Sequence, residues 1–273
     1  MGLFDRFLKS KKLPTKNPAI IAAVKQVQSV SSSYNEQHAG LTKLESLFLK
    51  ATDTSDKMAI SQSLLDTATD GASIQVRESS LTKLGTIIDK SIQFSNHPTL
   101  HSGASRGLSA ISGHAVPSLI AIIENTRGKE TELRRIAFWT LQKIAPFALD
   151  DALLVFLVRS LSEKRDIRMP VICALEDIAR LSDDTTRKRM AEVGLSPLCQ
   201  TLKDNDAEIW IRAARVLGDL GTYAAGSVND LISKLDDDGG EWAADSLRKI
   251  TGEAYGNKEK GKWQEWVSRN GTQ

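Results

Sequence analysis

Ala137-Phe-Trp-Thr-Leu141-Gln-Lys-Ile-Ala145 is one of five versions of a single phrase. The others read Leu108-Ser-Ala-Ile-Ser112, Leu175-Glu-Asp-Ile-Ala179, Leu217-Gly-Asp-Leu-Gly221 and Leu247-Arg-Lys-Ile-Thr251. Four positions before each leucine stands a small or β-branched apolar residue: Ala104, Ala137, Val171, Ala213 and Ala243. The leucines are 33, 34, 42 and 30 residues apart. Recurrence at this period is the mark of stacked helical repeats. Each unit is a helix pair with apolar surface left on two sides, and the next pair buries it.

The phrases end the second helix of each unit. First helices are expected over Pro117–Asn125, Leu153–Leu161, Leu195–Leu202 and Val228–Leu235, joined to the second helices by short polar turns. An extra segment, Thr185–Gly194, accompanies the 42-residue step. Ahead of the repeats the apolar faces are less regular. Ile20, Ile21, Val24 and Val27 make one, Leu41, Leu44, Leu47 and Phe48 a second, with two more around Leu64 and Leu84. The Ser-rich stretch Ser29–Ser33 and Thr69-Asp-Gly71 read as connectors. No segment alternates like a strand.

With 273 residues, 41% of them hydrophobic, there is ample apolar material for a core. The net charge of +2 is unevenly placed. Residues 1–16 carry +4 and residues 248–273 carry +3, which leaves the body between them at −5. A basic groove for nucleic acid is not expected on such a body. Cys173 and Cys199 lie among apolar neighbours and read as core thiols of a reducing compartment. No secretory segment and no apolar run long enough to span a bilayer is seen, so a cytoplasmic protein is expected.

The first twelve residues, MGLFDRFLKSKK, place Leu3, Phe4, Phe7 and Leu8 on one side of a helix, opposite Asp5, Arg6, Lys9 and Lys12. An apolar face beside Lys11 and Lys12 can lie on an anionic surface, which would put the chain at the inner face of the membrane. Arg6 stands where a myristoylation signal needs Ser or Thr. The expected domains are a basic segment and linker over 1–16, irregular helical repeats over 17–97, regular repeats over 98–254 and a capping helix over 255–273. Trp263 and Trp266, three apart, form the lid on the last repeat.

Several strings imitate catalytic motifs. Gly103-Ala-Ser105-Arg-Gly107 matches a nucleophile elbow, but that chemistry needs a strand before the serine, and here Ser105 is in helical repeat phase. His97 and His101 are four apart, with His114 nearby. Pro98 separates the first from any helix and stands where the zincin motif has glutamate, and no cysteine is within reach in sequence, so no metal is expected. Asp236-Asp-Asp238 lacks the spacing of a calcium loop and suits the positive end of the helix that follows. Gly218–Gly226 holds no phosphate loop. No catalytic residue, cofactor or enzyme activity is expected.

The regular units resemble HEAT repeats. In that family the second helix opens with an acidic residue, an apolar–arginine pair and an alanine-rich run. Glu130, Leu133-Arg134 and Ala137 match, as do Asp166, Ile167-Arg168 and Ala174. Trp210 follows Ile209 where arginine is expected, and Gly239-Gly240 replaces the pair in the last unit. The 42-residue unit, with Ala191-Glu-Val-Gly-Leu-Ser-Pro-Leu198, looks like an armadillo repeat with its added short helix. The C-terminal run from Leu247 to Trp266 is similar to the closing segment of bacterial HEAT-repeat proteins. The resemblance implies an all-α, right-handed α-α superhelix, a HEAT/armadillo-like solenoid of about six helix pairs. It also implies that second helices line a concave face. Buried aromatics and arginines are the usual anchors of interfaces. The candidates on that face are Arg134, Arg135, Trp139, Arg168, Trp210, Arg212, Arg215 and Trp242.

The function expected is a monomeric, non-catalytic scaffold or adaptor for a protein or peptide. Some HEAT-like proteins are bilin lyases or DNA glycosylases, and those are the alternatives. A glycosylase would need a continuous basic groove, against which Glu176, Asp177, Asp219 and Asp245 speak. A lyase would need a tetrapyrrole-sized pocket.

Overall fold

The computed structural model describes residues 15–29, 32–71, 73–95 and 101–271. Among them every regular element is helical: α1 (Pro18–Gln28), α2 (Tyr34–Lys50), α3 (Thr54–Asp70), α4 (Ile74–Ser95), α5 (His101–Asn125), α6 (Thr131–Ile144), α7 (Asp151–Ser160), α8 (Arg165–Leu181), α9 (Asp184–Thr201), α10 (Ala207–Leu220), α11 (Val228–Ser233), α12 (Gly240–Thr251) and α13 (Lys260–Asn270). Short 3-10 segments follow α6 and α10. The contacts group the chain into two compact units, Met1–Ala148 and Leu149–Gln273.

In the first unit α1, α3 and α5 form one row and α2, α4 and α6 the other, each helix packing on its partner and on its row neighbours. In the second unit α8, α10 and α12 form the row of second helices, over α7, α9 and α11, and α13 packs on α11. The local causes are plain. Asn17 caps α1, its side chain accepting from the Ala19 N–H at 3.1 Å, with Pro18 in the first turn. Ser33 and Glu36 make a reciprocal capping box at the start of α2. Along α10, Ile209, Ala213, Val216, Leu217 and Leu220 are all buried, the spacing of one helical face. Asp206 caps its start, and Gly221, at φ +61°, ends it. Each large side chain so buried contributes about 1.5–3 kcal/mol.

Two expectations are corrected. Leu108 does not lie on a second helix: α5 runs unbroken from His101 to Asn125, with Pro117 inside it. Likewise α9 is one helix through Pro197, so the 42-residue step is taken up by a longer first helix, with no separate short one. A proline removes one helical hydrogen bond. Here the helices continue because their buried strips continue past it: Ile111, Ala115, Leu119 and Ile122 in α5, and Met190, Ala191 and Leu198 in α9.

With Leu108 removed, the repeat phase extends in the other direction. Leu44 on α2 and Leu84 on α4 take the phrase position, both fully buried. Four residues earlier stand Gly40 and Ser80, again small. A Cβ on Gly40 would lie 2.7 Å from Val27 Cγ2, so α2 sits directly on α1. The Ser80 hydroxyl donates to the Leu64 carbonyl of α3 at 2.6 Å.

Seven residues before four of the six phrase leucines, Leu44, Leu84, Leu141 and Leu175, is a polar clamp. Gln37 donates to the Val27 and Ser29 carbonyls at 3.3 and 3.0 Å. Arg77 Nε donates to the Ala68 carbonyl at 2.9 Å, Arg134 Nε to Ile123 at 3.3 Å, and Arg168 Nε to Glu163 at 3.2 Å. The last carbonyls of a helix have no partner within it. In these four pairs the second helix supplies one to the chain leaving the first.

Neighbouring second helices also touch closely. A Cβ on Gly218 would lie 2.9 Å from Ser246 Cα, a backbone atom that cannot rotate away. Gly261 on α13 has open space instead. Gly218→Ala should therefore cost about 1–3 kcal/mol, while Gly261→Ala should be neutral or gain up to about 1 kcal/mol through helix propensity. Urea unfolding of both variants checks this, and equal midpoints would contradict the close α10–α12 contact.

Candidate functional site

The sequence-expected residues divide into three groups. Arg134 and Arg168 belong to the clamps just described. Arg134 also stands 5.3 Å over the Phe138 ring, and Arg168 pairs with Asp204. Their guanidinium groups hold the fold together and are only partly accessible, so they are poor contact residues.

Trp210 is the second group. It occupies the clamp position of α10, where arginine was expected, and is 3% exposed. Its ring lies under Lys234 Nζ at 4.9 Å, and Gly239, at φ +93°, passes beside it. A flat ring fills by packing the place that other repeats fill by hydrogen bonding. Trp210 is thus a core residue and offers no surface to a partner. Trp263 is fully buried too, its indole N–H donating to the Gly256 carbonyl at 3.1 Å and its ring edge-on to Tyr255. Trp266 is half-buried.

The third group remains at the surface, in two places. In the first unit Arg135 and Trp139 line a shallow cleft of about 290 Å³ between α4 and α6, floored by Thr82, Gly85 and Thr86. Arg135 is held by Glu132 at 2.6 Å, and Lys143 by Asp89 at 2.5 Å. Trp139 is half-buried there.

In the second unit Arg212, Arg215 and Trp242 meet on the row of second helices. At their centre is Glu176 of α8, a carboxylate only 6% exposed. Arg212 Nη1 donates to its Oε2 at 2.8 Å, and Arg215 Nη2 pairs with its Oε1 at 2.7 Å. Arg212 also reaches Glu208 at 3.2 Å, while its Nε is buried without a partner. The Arg215 guanidinium lies 5.2 Å over the Trp242 ring. Trp242 itself is 41% exposed, among the most exposed large apolar side chains of the described residues. On the flank, Lys249 joins Asp219 at 3.0 Å and Asp245 at 3.3 Å. Signs alternate across this surface, as Glu176, Asp177, Asp219 and Asp245 implied. Glu176 was read from sequence only as a charge against nucleic acid. Its central place has one sequence signal: an acidic residue directly after a phrase leucine, a position held by Ser, Gln, Gly or Arg in the other versions of the phrase.

The remaining motifs resolve as follows. The aspartate run does not cap α12, whose N-cap Gly239 makes no side-chain bond. Instead Asp236 pairs with Lys260 and Asp237 with Lys234, each at 2.5 Å. His114 bonds Gln62, whose amide donates to Asp66 at 2.5 Å, and burial raises the Asp66 pKa. His97 and the segment carrying Leu3, Phe4, Phe7, Leu8, Lys11 and Lys12 lie outside the described residues. Among the described residues no three His, Cys, Asp or Glu side chains gather as a metal site, and no helix is long and apolar enough to cross a membrane.

No protein-family model matches the chain, and no curated protein does. Solved structures do. A designed armadillo repeat protein in complex with the peptide (KR)4 superposes with a TM-score of 0.61 at 18% identity, covering 88% of this chain and 100% of that one. An engineered protein from the Northeast Structural Genomics Consortium gives 0.59 at 20%, covering 85% and 96%. A second designed armadillo repeat protein gives 0.52 at 17%, covering 88% and 100%.

Both thiols are buffered by burial, which pushes Cys173 up to about 11 and Cys199 up to about 12. At pH 8 Cys173 should react with an aromatic disulfide reagent on the order of a hundredfold, and Cys199 on the order of a thousandfold, more slowly than in the urea-unfolded chain. Fast reaction of either in the native protein would contradict its placement.

At this level of identity the likeness bears on architecture alone: the chain is an all-α, armadillo-like repeat solenoid.

Proposed function

We propose that the chain is a non-catalytic scaffold that binds a protein or peptide on the second helices of residues 149–273. The observation that carries this reading is Trp242. An indole 41% exposed, on a helix whose other apolar residues Ala243, Ala244, Leu247 and Ile250 are buried, leaves apolar surface in water. Large rings beside arginine are the residues that most often anchor a partner. Most charges around it are paired, Arg212 and Arg215 with Glu176 and Lys249 with Asp219, which lowers the cost of taking them out of water. The solved neighbour that holds the peptide (KR)4 supports a binding role for this architecture in general. Trp139, in the cleft of the first unit, is a second and shallower contact point.

The test is selection of binders from a displayed random dodecapeptide library with the full-length protein. Trp242→Ala should weaken the selected peptides at least tenfold by fluorescence polarisation, with unchanged circular dichroism. Trp139→Ala should cost less. Peptides that bind Trp242→Ala as well as wild type would move the site elsewhere.

The basic, amphipathic pattern of residues 1–12 supports a peripheral tether to the inner face of the membrane of a monomeric, cytoplasmic protein. The full chain should float with vesicles containing phosphatidylserine, and a chain lacking residues 1–12 should not. Equal flotation of the two removes the tether.

A further inference from the structure

Arg215 is held on two sides and open on the third. Its guanidinium carbon lies over the Trp242 ring, 5.2 Å from the ring centre, and Nη2 lies 2.7 Å from Glu176 Oε1. No other partner for it exists among the described residues, and its side chain is 38% exposed. The carboxylate that holds it is itself unusual. Glu176 is the one acidic or basic residue of the described core that is buried, and it is shared with Arg212. Taking a carboxylate out of water costs several kcal/mol, and such pairs are often no more stabilising than the apolar residues that could replace them. What the pair does supply is position. A guanidinium is planar, with N–H groups along its edge. Held at Nη2 by Glu176 and set over the Trp242 ring, with 38% of the side chain exposed, it keeps N–H groups available to solvent.

We infer that Arg215 receives a carboxylate from the bound partner, an Asp or Glu side chain or a C-terminus, and that Glu176 is the positioning residue. This rests on the binding role proposed for Trp242. A cationic partner group fits less well, because the cation that an indole face attracts is already supplied by Arg215. Most nearby acids are held elsewhere: Asp219 and Asp245 by Lys249, Glu208 by Arg212 and Asp177 by Arg180, while Glu241, beside Trp242, forms no ion pair with Arg215. A two-point bond between guanidinium and carboxylate is stronger and more directional than the bond a lysine could make.

The experiment uses the peptides selected on the full-length protein. Those that depend on Trp242 should carry a conserved Asp, Glu or free C-terminus. Replacing that Asp by Asn, or that Glu by Gln, should weaken binding about tenfold to wild type and less than twofold to Arg215→Gln. Arg215→Lys should recover little of the loss. With 5-fluorotryptophan incorporated, Glu176→Gln should shift the Trp242 fluorine resonance, assigned with Trp242→Phe, and weaken the carboxylate peptides several-fold. Peptides that need Trp242 but carry Lys or Arg would assign the surface to the unpaired Glu241 and overturn the inference, leaving the binding role intact. An equal loss with wild type and Arg215→Gln would overturn it as well. A library that yields no binder at all removes both.

Discussion

Each second helix must lie close on its own first helix, and the rest of the stack follows from that contact. The residue four before the phrase leucine governs it. Gly40 leaves α2 no room for a side chain against Val27, Ser80 reaches into α3, and Ala137, Ala213 and Ala243 are wholly buried. With the pair closed, the leucine itself is driven inward, and the next pair can bury what is left. Stability therefore runs from neighbour to neighbour along each unit.

Closing the pair also brings a polar side chain to the end of the first helix. Gln37, Arg77 and Arg134 donate to carbonyls at the ends of their first helices, and Arg168 to the Glu163 carbonyl in the turn after α7. A buried carbonyl left unpaired costs about 1–3 kcal/mol, so these clamps outweigh the exposed ion pairs around them, each contributing at most about 1 kcal/mol. Two clamps extend further: Arg77 meets Glu130 at 2.7 Å, and Arg168 meets Asp204. They tie one pair to the turn of the next. At Trp210 the clamp is replaced by a ring, and the work passes to packing.

The surface around Trp242 follows a different logic. Its ion pairs are not spread along the edge but gathered on one buried carboxylate. That arrangement adds little stability, yet it fixes two guanidinium groups from α10 in a single geometry. A fixed donor loses little freedom when a partner arrives, which is how preorganised sites gain affinity. Rigid neighbours on α8, α10 and α12 make this possible, since a helix holds its side chains more firmly than a loop does.

The architecture was legible because repetition multiplies a weak signal. One phrase of leucine and alanine proves little, but five at similar steps leave few folds to consider. Its phase was less legible. Leu108 fits the phrase as well as Leu84 does, and only packing shows that α5 is a first helix carried through Pro117 by its buried strip. The same holds for the candidate site. Sequence placed tryptophans and arginines on second helices, because helical periodicity assigns a face. Which of them stay in water depends on what the neighbouring pair covers. Trp210 is sealed by Lys234 and Gly239, and Trp242 lies open under Arg215. Glu176 shows the difference most clearly: one more charge in the chain, it becomes the centre of the surface once α10 packs on α8 and brings Arg212 and Arg215 to it. Periodicity is local and is written in the order of residues. Burial is set by elements tens of residues away, and only the packed structure decides it.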